Sequence, residues 1–162
     1  MRNSYIYHGF NRADLLNILL NLSHNIDYIS LLVSNLRQNV SSLPQEYINY
    51  DLLAGVGAKD ILISNNNSFE KLHDFHNYRK DWLFGYLSYD LKNEIEELQS
   101  SHSDEFNSDN LFFFTPEYVL LLNNDILEIQ TYHSKEKCDK FVESFNYSDL
   151  PDSTLEVEFS MR

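Results

Sequence analysis

The sequence contains few of the residues that mark small specialised proteins: among 162 residues there are one cysteine, four glycines and three prolines. A single cysteine, Cys138, excludes a disulfide framework and a metal site built from several thiolates. The low glycine and proline content excludes collagen-like chains and low-complexity linkers. The chain also lacks an apolar run of membrane length and an apolar signal core at its amino terminus. Together these absences predict a cytoplasmic globular protein.

Cationic side chains are also scarce, because 12 Lys and Arg stand against 25 Asp and Glu, a formal net charge of −13. Nucleic-acid phosphates and anionic membrane surfaces attract clustered Lys and Arg, so we expect neither nucleic acid nor membrane as a partner. Bulky apolar residues, in contrast, are plentiful, with 43% hydrophobic residues that include 11 Tyr and 11 Phe. The length and this composition predict that residues 1–162 form a single domain with a sizeable core.

The hydrophobic pattern changes between a period of two and a helical period several times along the chain. It predicts strands over residues 4–10, 28–34, 50–57, 60–63, 82–89, 118–122 and 126–132. Helices are predicted after Asn11, Asn67 and Ser134, the second with Glu70 in a capping box. Pro116 is expected to break the apolar run 111–114, and residues 36–47 and 99–110 are expected to be loops. This order predicts an α+β fold, with antiparallel sheets packed as a sandwich and about three helices.

The stretch 81–98 carries the most distinctive pattern of the chain. Both parities of its first half are apolar or aromatic, which predicts a central strand covered on both faces. Gly85 lies within this strand, where a missing side chain lets a neighbouring element come close. Asp90 is expected to cap a short helix, with Glu94 in its first turn. A carboxylate pair for acid–base chemistry, drawn from Asp90, Glu94, Glu96 and Glu97, is less favoured than capping and solvated charge.

No catalytic residue and no metal ligand is predicted from the residue patterns themselves. Gly55 and Gly57 lack the third glycine and the strand–turn–helix context of a nucleotide loop, so strand packing or a bulge is favoured. His73 and His76 have no third ligand at useful spacing, so they are expected to be surface residues. Cys138 lies on the apolar face of the last predicted helix and is expected to belong to the core.

Residues 83–98, LFGYLSYDLKNEIEEL, resemble the "FGY.sYDL...E.L" signature of chorismate-utilising enzymes, and Gly85, Tyr86, Tyr89 and Asp90 fall on it. Three further segments, 28–35, 50–58 and 113–116, resemble other segments of the same family in the same order. The resemblance is to the amino-terminal domain of component I of aminodeoxychorismate synthase and of anthranilate synthase. Residues 155–162 are similar to the segment at which the second, chorismate-binding domain of these proteins begins.

The resemblance implies that the complete protein transfers ammonia onto chorismate, and that a glutamine amidotransferase partner releases this ammonia from glutamine. It places the chorismate and magnesium sites in the second domain, whose motifs are absent from these residues, so the chain itself has no cofactor. The long YLSYDLKNEIEEL form is more similar to the aminodeoxychorismate branch, which leads to para-aminobenzoate and folate. Anthranilate synthesis, on the way to tryptophan, is the alternative.

In this family, a serine of the "LLES" segment and its surroundings help to bind tryptophan. Ser34 falls on that position, and the resemblance assigns it a tryptophan pocket together with Leu32 and Asn35, although Val33 replaces the acidic residue. The alternative is a core-strand role for Ser34. At the level of function, the alternative to an enzyme domain is a stand-alone module that binds an aromatic amino acid or a protein.

Overall fold

The computed structural model describes residues 1–34, 50–95 and 108–145 of the chain. These residues form one six-stranded antiparallel sheet and four α-helices, which confirms the α+β class. The strands are β1 (Asn3–His8), β2 (Ile29–Val33), β3 (Leu52–Ser64), β4 (Phe84–Leu87), β5 (Leu111–Asn123) and β6 (Ile126–Thr131). The helices are α1 (Arg12–Leu22), α2 (Ser68–Arg79), α3 (Lys92–Ile95) and α4 (Lys135–Glu143), with a 3-10 turn at Tyr89–Leu91 before α3.

The central strand of the sheet is β5. The strand order is β1-β6-β5-β3-β2, and β4 pairs with β5 outside this path. Along one edge, β5 pairs with β3; along the other, its first half pairs with β4 and its second half with β6. The predicted hairpin between β5 and β6 is confirmed, and Asn124 adopts a φ of 56° in its turn.

Two predicted helix starts are confirmed by their capping bonds. The Asn11 side chain accepts a hydrogen bond from Asp14 N at 2.9 Å and begins α1. The Ser134 hydroxyl accepts from Lys137 N and begins α4. In both cases a side-chain oxygen satisfies an amide that has no partner within the first turn of its helix.

The predicted capping box at α2 is wrong. Asn67 precedes the helix with a left-handed φ of 47° and makes no side-chain cap. The carboxylate of Glu94 takes its place, accepting from Ser68 N and from Ser68 Oγ, both at 2.7 Å. Since Glu94 is 26 residues away along the chain, the local sequence pattern carried no sign of this cap.

The main hydrophobic core lies between one face of the sheet and helices α1 and α4. A second cluster lies on the opposite face, beside β4. The main core contains Phe10, Leu15, Ile18, Leu19, Leu52, Ala54, Val56, Tyr118, Leu120, Leu122, Leu127, Ile129, Cys138 and Phe145. The second cluster contains Phe84, Phe114, Val119 and Leu121.

Helix α2 packs over the second half of β3, on the side of the sheet that also carries α1 and α4. Lys71 Nζ donates to Ser64 Oγ at 3.1 Å, and Arg79 Nη2 contacts Asp60 Oδ1 at 2.5 Å. Along β3, Ser64 and Asp60 alternate with Ile61 and Ile63, so the two pairs of side chains lie on opposite faces of the sheet. The cross-strand partners of Ile61 and Ile63 belong to the second cluster or pack against it. Among the described residues, the helices longer than one turn therefore cover one face of the sheet.

Residues 52–57 and 60–63 belong to one strand, β3, and not to the two strands predicted over 50–57 and 60–63. The register with β5 shifts between Ala58 and Asp60, so that Lys59 is an extra residue, and Gly57 has a φ of 68°. Such a bulge absorbs one residue and bends the strand without ending it. The polar residues Lys59 and Asp60 therefore mark a bulge, and the nucleotide-loop interpretation of Gly55 and Gly57 has no support in this strand.

Pro116 lies within β5 and does not break the strand, contrary to the prediction. Its carbonyl oxygen accepts from Arg2 Nη2 at 2.5 Å, on the edge of β5 that faces β4 and β6. An amide at this position would point to the same edge of β5, where the pairing with β4 ends at Phe114 and the pairing with β6 begins at Tyr118. The proline therefore removes no ladder hydrogen bond between the described strands.

The prediction of a central strand around Gly85 is also wrong. Strand β4 has four residues, pairs with β5, and exposes Gly85, Tyr86 and Leu87. Its aromatic residues pack on one face of a sheet rather than between two layers. Asp90 lies inside the 3-10 turn that follows Ser88, so it does not cap the short helix. The predicted loops at 36–47 and 99–110 lie almost entirely outside the described residues, as does the segment 155–162.

Candidate functional site

The face of the sheet turned away from α1, α2 and α4 carries a continuous apolar surface, which we call the open face. Register places its side chains in two rows, each across three strands, and Leu32 of β2 extends the surface beside Leu53. Ile61, Ile63, Tyr86 and Leu32 are 41%, 52%, 45% and 58% exposed. The open face is formed by Leu32, Ile61, Ile63, Phe84, Tyr86, Phe112 and Phe114.

Aromatic stacking holds the centre of the open face. The ring of Tyr28 lies 5.8 Å from that of Phe112, and the Tyr86 ring lies 5.9 Å from the same Phe112 ring. Phe84 and Phe114 are 6.1 Å apart. These distances are typical of favourable aromatic pairs, so the rings hold one another in a defined arrangement at this surface.

Two residues of the sequence signature, Gly85 and Tyr86, lie in β4 at this surface. A Cβ atom on Gly85 would lie 2.0 Å from the Phe112 carbonyl oxygen and 2.6 Å from Phe113 Cα. The glycine is thus required for β4 to approach β5, as its position in the signature suggested. Tyr89 and Asp90 follow in the 3-10 turn, and Tyr89 is 81% exposed with Lys92 Nζ 4.0 Å above its ring.

The residues assigned to a tryptophan pocket lie at the end of β2, which is an edge strand of the described sheet. Ser34 N donates to Asp51 O at 3.0 Å, and Ser34 O accepts from Arg12 Nη1 at 2.8 Å. The Leu32 side chain belongs to the open face and is accessible, so the strand confirmed in this segment is only partly buried. Asn35 lies outside the described residues. The tryptophan role of these residues stays a prediction.

A buried polar cluster lies where β4, β5 and β6 meet. The guanidinium of Arg2 donates to Asp81 Oδ1 at 2.8 Å, and the two side chains are only 7% and 9% exposed. Arg2 also donates to the carbonyl oxygens of Pro116, Glu117 and Gln130. It therefore satisfies the backbone acceptors in the gap between β4 and β6.

Tyr132 and Trp82 complete this cluster. The Tyr132 hydroxyl donates to Asp81 Oδ2, and Trp82 Nε1 donates to Gln130 Oε1 at 2.9 Å. Arg2 Cζ lies 4.5 Å and Lys59 Nζ lies 3.7 Å from the centre of the Tyr132 ring. These cation–π contacts place positive charge on a ring in a partly desolvated site, where such contacts are strongest.

The surroundings of Asp81 act on its pKa in opposite directions. Burial raises the pKa, but the hydrogen bonds from Arg2 and Tyr132 outweigh burial, and the net pKa of Asp81 is lowered. The pKa of Tyr132 is raised, first by burial and then by its hydrogen bond to the Asp81 carboxylate. At neutral pH the cluster therefore contains a carboxylate and a neutral phenol.

We expect the ionised Asp81 to make the stability of the chain depend on pH in acid. The pKa of Asp81 is lower in the folded than in the unfolded state, where an ordinary Asp titrates near ~3.9. Its contribution to the free energy of unfolding is thus complete above that value and is lost as pH falls through the folded pKa.

The measurement is urea unfolding from pH 6 downward for the wild-type chain and the Asp81→Asn variant, which cannot titrate. The gap in unfolding free energy between them should narrow as pH falls below about 4. Asp74→Asn serves as the control, because Asp74 is an exposed carboxylate on α2. A gap for Asp81→Asn that stays constant down to pH 2 would rule out a lowered pKa.

Two adjoining cavities open beside the same cluster. One, of about 340 Å³, is lined by Arg2, Arg79, Lys80, Asp81, Trp82 and Tyr132, among others. The other, of about 530 Å³, shares Lys80, Asp81 and Trp82 with it and adds His76 and Leu83. Both volumes are in the range of small-molecule sites. The sequence pattern gave no sign of this site, because Arg2 and Asp81 are 79 residues apart.

Other candidate groups have structural roles. Cys138 is completely buried in the main core, as predicted, and burial raises its pKa. Within residues 1–34, 50–95 and 108–145, no three His, Cys, Asp or Glu residues are placed to hold a metal ion. His73 and His76 are exposed on α2, and His73 Nε2 contacts the Asn77 amide at 2.7 Å. Glu94 serves as the cap of α2 described above.

Comparison of the chain with protein-family models and with curated protein sequences gave no match. No helix in the described part of the chain is long and apolar enough to cross a membrane. Its function must therefore be inferred from the residues and surfaces of this chain.

Proposed function

We propose that this chain is the amino-terminal, non-catalytic domain of a cytoplasmic component I enzyme that aminates chorismate to aminodeoxychorismate. Chorismate and magnesium would bind to a second domain, and a glutamine amidotransferase would supply ammonia. The proposal rests on the four ordered segments of the sequence and on one structural observation, the open face. Anthranilate synthesis is the alternative outcome for the same architecture.

The open face supports the proposal because it has the properties of an interdomain surface. It joins the exposed side chains of Leu32, Ile61, Ile63 and Tyr86 to the partly buried Phe112 and the buried Phe84 and Phe114 on one side of the sheet, without a charged residue among them. A contiguous apolar surface of this kind is typical of a site covered by a partner. Phe84 and Tyr86 come from the sequence signature itself, which connects the resemblance to the surface.

A second sheet packed on the open face would complete the sandwich of antiparallel sheets predicted from the sequence. In sandwiches, apolar side chains of the two inner faces interdigitate about 10 Å apart. The helices on the other face leave this as the accessible side of the sheet for such a layer. The role of the chain is then to position the second domain, and Leu32 and Ser34 lie at the edge of the same surface.

The test is to express the complete reading frame that contains this chain and to assay it with chorismate, Mg²⁺ and ammonium. We expect aminodeoxychorismate as the product, identified by chromatography against an anthranilate standard. Formation of anthranilate would keep the family and change the branch. A complete protein that carries a second domain but is inert towards chorismate would contradict the proposal, as would a reading frame without a second domain.

A charge placed on the open face tests the interdomain role in the same protein. Ile63→Arg should lower activity about tenfold or more, because a guanidinium would be buried without a partner at the interface. Leu20→Arg is the matched control, since Leu20 is 46% exposed on α1 and lies away from the open face. Equal activity of the two variants, with both folded by circular dichroism, would show that the open face has no interdomain role.

A further inference from the structure

The smaller of the two cavities concentrates positive charge in a strongly acidic chain. Arg2, Arg79 and Lys80 line it against one carboxylate, Asp81, and the chain as a whole carries a formal charge of −13. Lys59 adds a further cation at 3.7 Å from the ring of Tyr132. Such a local reversal of charge raises the concentration of small anions at the cavity.

The donors in this cavity differ in whether they already have acceptors. Arg2 is used by Asp81 and by three backbone carbonyls, so it is a structural group. Arg79 contacts Asp60 through Nη2 at 2.5 Å, but its Nε is buried and has no acceptor. Within the described residues, Lys80 Nζ makes no hydrogen bond and no ion pair. Lys80 Nζ is thus an unused cationic donor at this wall, beside the guanidinium of Arg79.

The backbone holds Lys80 at this wall. It ends α2 in a left-handed conformation, with φ of 48°, and its amide donates to His76 O at 2.6 Å. This conformation turns the chain from the helix directly into Asp81 and Trp82, which are fixed by Arg2 and Gln130. Lys80 is therefore carried by a defined backbone rather than by a free loop, although its side chain is exposed.

We propose that this cavity binds a small molecule bearing an oxyanion, a carboxylate or a phosphate, which pairs with Lys80 Nζ and with the guanidinium of Arg79. Trp82 forms an apolar wall beside the charged groups, since its indole N–H is already bonded to Gln130. Charge-assisted hydrogen bonds from Lys and Arg to an oxyanion are among the stronger hydrogen bonds in proteins. This site lies at the β6 side of β5, whereas Leu32 and Ser34 lie on the opposite edge strand.

Trp82 makes the test direct, because it is the only tryptophan of the chain. Its fluorescence is followed while sodium benzoate or inorganic phosphate is added at constant ionic strength, with sodium chloride as the reference anion. We expect a saturable change with a dissociation constant of about 1 mM or tighter for at least one of the two probes. Preference for benzoate would identify a carboxylate on a ring, and preference for phosphate would identify a phosphoryl group.

Lys80→Asn is the variant that removes the charge without disturbing the fold, since asparagine tolerates the left-handed conformation better than most residues. It should weaken binding at least about tenfold, the effect of losing a charge-assisted contact of ~1.4 kcal/mol. Lys137→Gln makes the same change in net charge on α4 and should bind as the wild type does. No saturable change with either probe, or equal binding by Lys80→Asn and the wild type, would overturn the proposal.

Discussion

Replacing Arg2 by methionine is expected to lower the free energy of unfolding by about 3–5 kcal/mol, because it leaves the buried Asp81 carboxylate without its partner. The carbonyl oxygens of Pro116, Glu117 and Gln130 lose the hydrogen bonds from Arg2 in the same step, although Glu117 O keeps the one from Thr131 Oγ1. Methionine keeps much of the apolar stem of arginine, so the loss reflects charge and hydrogen bonds rather than volume. Urea unfolding followed by circular dichroism at neutral pH measures the effect.

The double variant Arg2→Met/Asp81→Asn separates the unpaired charge from the other losses. Since the Asp81→Asn substitution leaves a neutral amide in place of the carboxylate, the double variant should be more stable than the sum of the single effects by about 0.5–3 kcal/mol. Lys140→Gln is the control for an ion pair in solvent, because Lys140 and Glu136 are 69% and 79% exposed. That change should alter stability by less than about 0.5 kcal/mol. Strict additivity of the Arg2 and Asp81 variants would contradict the buried pair.

Replacing Gly85 by alanine is expected to destabilise the chain by about 3 kcal/mol. The new methyl group would meet backbone atoms, the Phe112 carbonyl at 2.0 Å and Phe113 Cα at 2.6 Å, which cannot rotate aside. Strand β4 would have to move away from β5, and Phe84 would leave its place beside Phe114. The unfolding free energy and the near-ultraviolet circular dichroism of the aromatic cluster should both change.

Two glycine controls separate the close approach from other effects of alanine. Gly9→Ala meets no atom within 4 Å but lies at a φ of 84°, so it should cost about 1–2 kcal/mol from backbone strain alone. Gly55→Ala meets the Phe84 ring at 2.7 Å, a side chain that can shift. We expect Gly85→Ala to exceed both. A smaller loss for Gly85→Ala than for Gly9→Ala would show that β4 is not held against β5 as described.

Local sequence signals identified most elements of this fold, since their causes lie within a few residues. Asn11 and Ser134 form the caps that their side chains suggested, and the Asn-Asn-Asp turn joins β5 and β6. The predictions that failed depended on distant partners. Pro116 is tolerated within β5 because Arg2 donates to its carbonyl oxygen in the gap between β4 and β6. Helix α2 is capped by Glu94, which lies far from it along the chain.

The sequence by itself determined the class of the fold, because an alternation of apolar residues can be buried by only a few kinds of layer. It also identified residues 83–90 as part of the most distinctive stretch of the chain, although it placed them in the centre of the sheet. Tertiary structure alone decided that β5 is the central strand, that the longer helices of the described residues all lie on one sheet face, and that Arg2 meets Asp81. These features depend on contacts between residues far apart in the chain, which no local pattern encodes.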